Sequence, residues 1–253
     1  MDVALKPGER VDDLQYMGYR IIQHEDKFRF GTDAVLLASW ARVHTRDKVA
    51  DLGCGTGVVG LLLASRYPRA SIIGLEIQPD MADMAARSCA MNELPAERIR
   101  VLQGDLRESA DLLGYNTMDV VVCNPPYGKV GHGLVSQAAA HALARHEICC
   151  TITDVAQAAY KLLRYGGRAY IIYPANRIDD VVYELRQAKM APKRLRLVYH
   201  AFGNAPNFLL LEAVREGGQG LLWEPPLVLY HKDGTMTDEA NVIYRDGGIA
   251  RAE

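Results

Sequence analysis

Short apolar runs alternate with helical segments through most of this 253-residue chain. Residues 48–52, 71–76, 99–103, 118–123, 167–173, 194–200 and 207–214 read as strands, rich in Val, Ile and Leu and bounded by turn residues. Residues 57–66, 79–92, 134–147, 151–165 and 176–188 carry helical spacing. Such alternation predicts a mostly parallel sheet with helices on both faces, because parallel neighbours need a crossover long enough to hold a helix. The last two runs are too close together for a crossover, so that pair is antiparallel. The expected fold is therefore α/β, a doubly wound, Rossmann-like seven-stranded sheet with its last strand antiparallel. It occupies residues 47–215. Residues 1–46, ending in the helix-like run Ala34-Val35-Leu36-Leu37-Ala38-Ser39-Trp40, form an N-terminal segment ahead of the sheet. Residues 216–253, rich in Gly and Pro, pack on the same domain as a C-terminal extension.

Composition narrows the class. With 49% apolar residues the chain builds a sizeable core. A net charge of -2 speaks against a general nucleic-acid binder, which carries a strong basic excess, but it leaves room for a local basic face. The five cysteines lack zinc spacing, and no metal site is expected. An odd count without a signal peptide fits reduced thiols, and no apolar stretch reaches the roughly 18 residues that span a bilayer. The sequence reads as a cytoplasmic protein without membrane attachment, a monomer or weak homodimer.

Asp51-Leu52-Gly53-Cys54-Gly55-Thr56-Gly57 follows the first core strand and opens a helix. Its glycines let the backbone turn sharply and approach a ligand closely. The spacing is G-x-G-x-G rather than that of dinucleotide sites, and the acid before it suits a cationic amine better than a pyrophosphate. Glu76-Ile77 follows the second strand, where an acid commonly holds ribose hydroxyls. Gly104-Asp105-Leu106 follows the third, where Asp accepts a bond from a purine amine. These strand ends share one crevice outside the sheet. Ribose, adenine and an amino-acid end together describe S-adenosylmethionine.

Asn124-Pro125-Pro126-Tyr127 ends the strand at 118–123. A flat NH2 group there meets two acceptors, the Asn124 side-chain oxygen and the Pro125 carbonyl, with Tyr127 offering a stacking face. Two such bonds leave the nitrogen pyramidal, its lone pair directed at the methyl sulfonium, and Asn124 therefore borders the cofactor as well. An amine that loses its proton after methylation needs no general base, so His146 is not required as one. These four residues alone do not choose between a base and a side-chain amide.

Motif and layout resemble class I S-adenosylmethionine-dependent methyltransferases acting on amino groups. Within them the chain resembles the bacterial tRNA adenine-N6 methyltransferases that modify adenine 37 of a valine tRNA. The narrower likeness rests on Lys27-Phe28-Arg29-Phe30-Gly31-Thr32-Asp33 before the sheet and Ala144-Arg145-His146-Glu147 after the catalytic turn. Pro192-Lys193-Arg194, Gly217-Gly218 and Pro225-Pro226-Leu227 continue it toward the C-terminus. The resemblance implies N6-methylation of an adenine in tRNA and a cofactor cover formed by Phe30, Gly31, Thr32 and Asp33. Arg29, Lys193, Arg194 and Arg196 are candidate phosphate contacts for the RNA. A release-factor glutamine methyltransferase uses the same four residues but carries a helical recognition domain ahead of its sheet; only about 46 residues precede the sheet here. DNA adenine methylation, and a non-catalytic RNA scaffold that binds the cofactor, are the remaining alternatives.

Overall fold

The structure, a computed structural model, describes residues 3–25, 31–126 and 150–245. Arg29, Phe30, Tyr127 and the expected helix at 134–147 lie outside the described residues.

A two-stranded antiparallel ribbon comes first, β1 (Glu9–Asp13) with β2 (Arg20–His24), followed by α1 (Thr32–Trp40). Then strands and helices alternate as β3 (Lys48–Leu52), α2 (Val58–Arg66), β4 (Ser71–Glu76), α3 (Pro79–Met91) and β5 (Ile99–Gln103). The short α4 (Ser109–Leu113) leads to β6 (Met118–Cys123), and α5 (Ile152–Leu162) runs directly into β7 (Leu163–Pro174). After α6 (Ile178–Gln187) come the long β8 (Met190–Ala201) and β9 (Pro206–Arg215). Two short strands, β10 (Leu222–Trp223) and β11 (Leu227–Tyr230), and α7 (Asp238–Arg245) follow.

The seven expected strands are all present, in the order β8-β9-β7-β6-β3-β4-β5. β9 is the reversed strand, antiparallel to both β7 and β8. What the sequence pattern did not reveal is that β10 and β11 add to β8 in parallel, giving nine strands. The C-terminal extension is thus woven into the sheet and shields an edge that would otherwise offer unpaired N–H and C=O groups.

Side chains alternate across the sheet with the period of two that strands impose. Val49, Val120, Val122, Tyr170 and Ile172 pack with α1 and α2 on one face. Ala50, Leu52, Val121, Cys123, Ala169 and Ile171 pack with α5 and α6 on the other. With both faces covered, the central strands read as continuous apolar runs. α5 starts at a reciprocal cap, in which Thr151 Oγ1 accepts from the Asp154 N–H and Asp154 accepts from the Thr151 N–H. Among the described residues no helix is long and apolar enough to cross a membrane. Because β3 to β7 are parallel, their carboxyl ends meet along one edge, where Leu52 pairs with Leu75 and with Cys123, and Cys123 with Ile171.

Candidate active site

The glycine turn lies at that edge. The Gly53 and Cys54 N–H groups donate to the Leu75 carbonyl at 2.8 and 3.1 Å, tying the turn to β4. Gly53 and Gly55 stand at φ of +68° and +56°, a left-handed conformation that residues with a side chain rarely hold. A Cβ at Gly53 would meet nothing within 4 Å, and one at Gly55 only the Met81 methyl at 3.9 Å. This backbone faces open space, the close approach a bound molecule needs. At Gly57, the left-handed cap of α2, the constraint is packing instead, since a Cβ would lie 3.1 Å from that of Ala85. Cys54 turns its thiol inward against Gly74.

Two buried carboxylates organise the turn. Asp51 is 1% exposed and accepts from the Gly60 N–H at 3.1 Å. Glu76 accepts from the Gly55 N–H and the Gln78 N–H, each at 2.9 Å, and so joins the β3 and β4 turns. Burial, with the nearby Glu76 charge adding to it, pushes the Asp51 carboxyl up from 3.8 to about 7. The folded protein therefore holds this proton where the unfolded chain has lost it, and the stability Asp51 contributes falls as pH rises from about 4 to 7. The full effect is about 4 kcal/mol. Without ligand, the melting temperature is expected to drop more steeply between pH 5 and pH 8 in the native protein than in Asp51→Asn. Equal slopes in a calorimetric pH series would refute this. An ammonium or sulfonium at the turn reverses the balance, because it stabilises the ionised carboxylate. The open glycine backbone and this acidic setting fit a cationic nucleoside.

Asn124-Pro125-Pro126 follows β6. Asn124 is half-buried and Pro125 buried. Asn124 Nδ2 donates to Asp33 Oδ2 at 3.0 Å, so Asp33 joins the start of α1 to the end of β6. Thr32 is hydrogen-bonded to Tyr244 of α7, which ties the start of α1 to the C-terminal extension. Gly104 gives its N–H to the Glu76 carbonyl at 2.9 Å, and Leu106 is buried beneath this edge, while Ile77 stays 39% exposed. Asp105 is differently engaged from the expected purine-amine acceptor. Its carboxylate caps the turn at 106–108 and pairs with Arg107, which holds it below the usual carboxylate range. The Arg107 side chain of this pair is half exposed, so the pair adds little to stability.

The basic cluster requires correction. Arg194 is 7% exposed and ion-paired with Glu212 and Glu224. Arg196 donates to the Pro225 carbonyl and to Glu239, and Lys193 to the Gln219 carbonyl. These side chains hold the C-terminal extension in place through bonds within the chain, so they are not free phosphate contacts. Nearer the turn, a cavity of about 260 Å³ opens beside Pro125 and Pro126, walled by Thr151, Tyr173 and Arg177.

Residues 24–178 match the methyltransferase small domain family. The chain belongs to that family. As one of the methyltransferase small domain proteins it is a class I S-adenosylmethionine-dependent enzyme, and S-adenosylmethionine is its cofactor. It is 30% identical over 207 residues to a tRNA1(Val) (adenine(37)-N6)-methyltransferase of Porphyromonas gingivalis strain W83, covering 79% of this chain and 80% of that one. A protein of the same description from Histophilus somni strain 129Pt is 28% identical over 240 residues, covering 92% and 96%. Among solved structures, a predicted O-methyltransferase from Agrobacterium tumefaciens superposes with a TM-score of 0.70 at 22% identity, covering 85% of this chain and 97% of that one. That last likeness shows the fold alone.

Proposed function

We propose that this protein transfers a methyl group to N6 of an adenine in tRNA, adenine 37 beside the anticodon. The observation that carries the reading is the sequence Asn124-Pro125-Pro126-Tyr127 after β6, whose Asn124 follows the sheet edge that also bears the glycine turn. The names of the two relatives above support the same acceptor.

The chemistry sets the task of each residue. An aromatic amine is a poor nucleophile because its lone pair is delocalised into the ring. Accepting one N–H on the Asn124 oxygen and the other on the Pro125 carbonyl draws the nitrogen toward a pyramidal geometry with a directed lone pair. Tyr127 stacks on the base, a contact worth about 1–3 kcal/mol. A base that begins in a stack is first turned out, at a cost of a few kcal/mol. When bound, the cofactor supplies an already activated methyl sulfonium. The protein's contribution is then mainly alignment of the amine. Asp51 takes the cationic amino-acid end, Glu76 the ribose hydroxyls and Asp105 the adenine amine of the cofactor, between Ile77 and Leu106. Phe30 to Asp33 close over it. The cavity beside Pro125 and Pro126 gives the acceptor room to enter.

Incubation with methyl-labelled cofactor and bulk tRNA, followed by digestion to nucleosides, is expected to yield labelled N6-methyladenosine. Label found only on a release-factor glutamine, or on no acceptor, would overturn the reading.

A further inference from the structure

The Asn124 amide can serve the transfer only in one orientation. Rotated by half a turn about its last bond, it presents NH2 to an amine that must itself donate both hydrogens, and the two groups repel. Something must hold it the right way round. One partner in place for its NH2 is Asp33, whose Oδ2 lies 3.0 Å from Asn124 Nδ2. An ionised carboxylate only accepts hydrogen bonds, so the contact commits the NH2 of Asn124 to Asp33. What the amide then presents to an incoming amine is its oxygen.

Asp33 is itself held in place. Its other oxygen accepts from the Ala34 N–H at 2.9 Å, in the first turn of α1, where the helix dipole favours negative charge. The side chain is 8% exposed. Gly31 makes room for it, since a Cβ there would stand 2.7 Å from Asp33 Oδ1. A buried carboxylate fixed by a helix start and a glycine is a rigid reference point for a half-buried amide.

Charge adds to geometry. During transfer the acceptor nitrogen becomes positive. A carboxylate behind the amide polarises it, making its oxygen a stronger acceptor as that charge grows. We infer that Asp33 is a positioning residue for methyl transfer, which orients and polarises Asn124 in addition to covering the cofactor. The inference rests on Asn124 being the amine clamp.

Steady-state rates at saturating cofactor and varied tRNA, with calorimetric cofactor affinities, test it on three variants. Asp33→Ala is expected to lower kcat about 10- to 100-fold, the usual cost of losing a group that orients a reacting one, with the cofactor Kd within about threefold. Asp33→Asn keeps an oxygen for Asn124 and is expected to recover at least about fivefold of that loss. Gly31→Ala crowds the carboxylate and should lower kcat several-fold, which keeps the test available should Asp33→Ala not fold. The inference is overturned if kcat is unchanged in Asp33→Ala or Gly31→Ala, if Asp33→Asn is as impaired as Asp33→Ala, or if cofactor affinity falls in parallel with kcat. An active Asn124→Ala sinks the clamp itself; an inactive one beside a fully active Asp33→Ala sinks only the role given to Asp33.

Discussion

Asn124→Ala is expected to lower kcat for methyl transfer about 10²- to 10³-fold, a loss of roughly 3–4 kcal/mol of transition-state stabilisation. Removing the amide takes away one of two acceptors that shape the nucleophile, and no neighbouring group on β6 replaces it. Little of the loss should appear in tRNA KM, because the bond strengthens as the nitrogen gains charge. Cofactor affinity is expected to stay within about threefold, since Asp51, Glu76 and the glycine turn are untouched. Single-turnover rates combined with calorimetric cofactor binding separate these quantities. A large drop in cofactor affinity would instead make Asn124 chiefly part of the cofactor pocket.

Arg194→Leu is expected to cost about 3–5 kcal/mol of stability, because it leaves two carboxylates without their buried partner. Glu212 is 8% exposed, and Arg194 also lies over the Trp40 ring at 4.4 Å from its centroid, so packing is lost with the charge. At this chain length such a change lowers the melting temperature by roughly 10 °C. Lys193→Ala, which removes only a surface bond to a carbonyl, should shift it by about 1 °C or less. Scanning calorimetry of the two variants provides the comparison. A stable Arg194→Leu protein with a raised tRNA KM would restore this side chain as an RNA contact. Replacing Arg194 and Glu212 together by apolar residues should recover much of the loss, since Glu212 is then gone and Glu224 keeps Arg42 and the Trp40 N–H.

The parts of the fold legible in the sequence are those decided by local pattern. β3, β4 and β6 begin and end where their apolar runs do, because each lies inside the sheet with both faces covered; β5, at the sheet edge, keeps its expected bounds as well. β7 and β8 run longer than the pattern implied: Gly166-Gly167 and Pro192-Lys193 look like strand ends, yet Leu163 pairs with Met118 of β6, and Met190 to Pro192 pair with β9. Arg194 stands directly opposite Glu212 in that pairing, a relation visible only once the register is known. β10 and β11 are too short to announce themselves, and what recruits them is the open edge of β8. At the site, Asp51 and Glu76 were legible because strand ends in such sheets point into one crevice. The bond between Asp33 and Asn124 was not, since the two residues are 91 positions apart and each has a sufficient local explanation, one as a helix-start acid and the other in a turn. Asp105 shows the converse, a plausible ligand group engaged by an arginine two residues along.

The Thr32–Tyr244 contact has a bearing on when the enzyme becomes competent. Translation delivers Asp33, the glycine turn and Asn124 well ahead of α7, and that part can begin to fold on its own schedule. The helix that braces the start of α1 leaves the ribosome only afterwards. A nascent chain therefore carries Asp33 and Asn124 well before it carries the helix that supports them, and the site is complete only once α7 has been made.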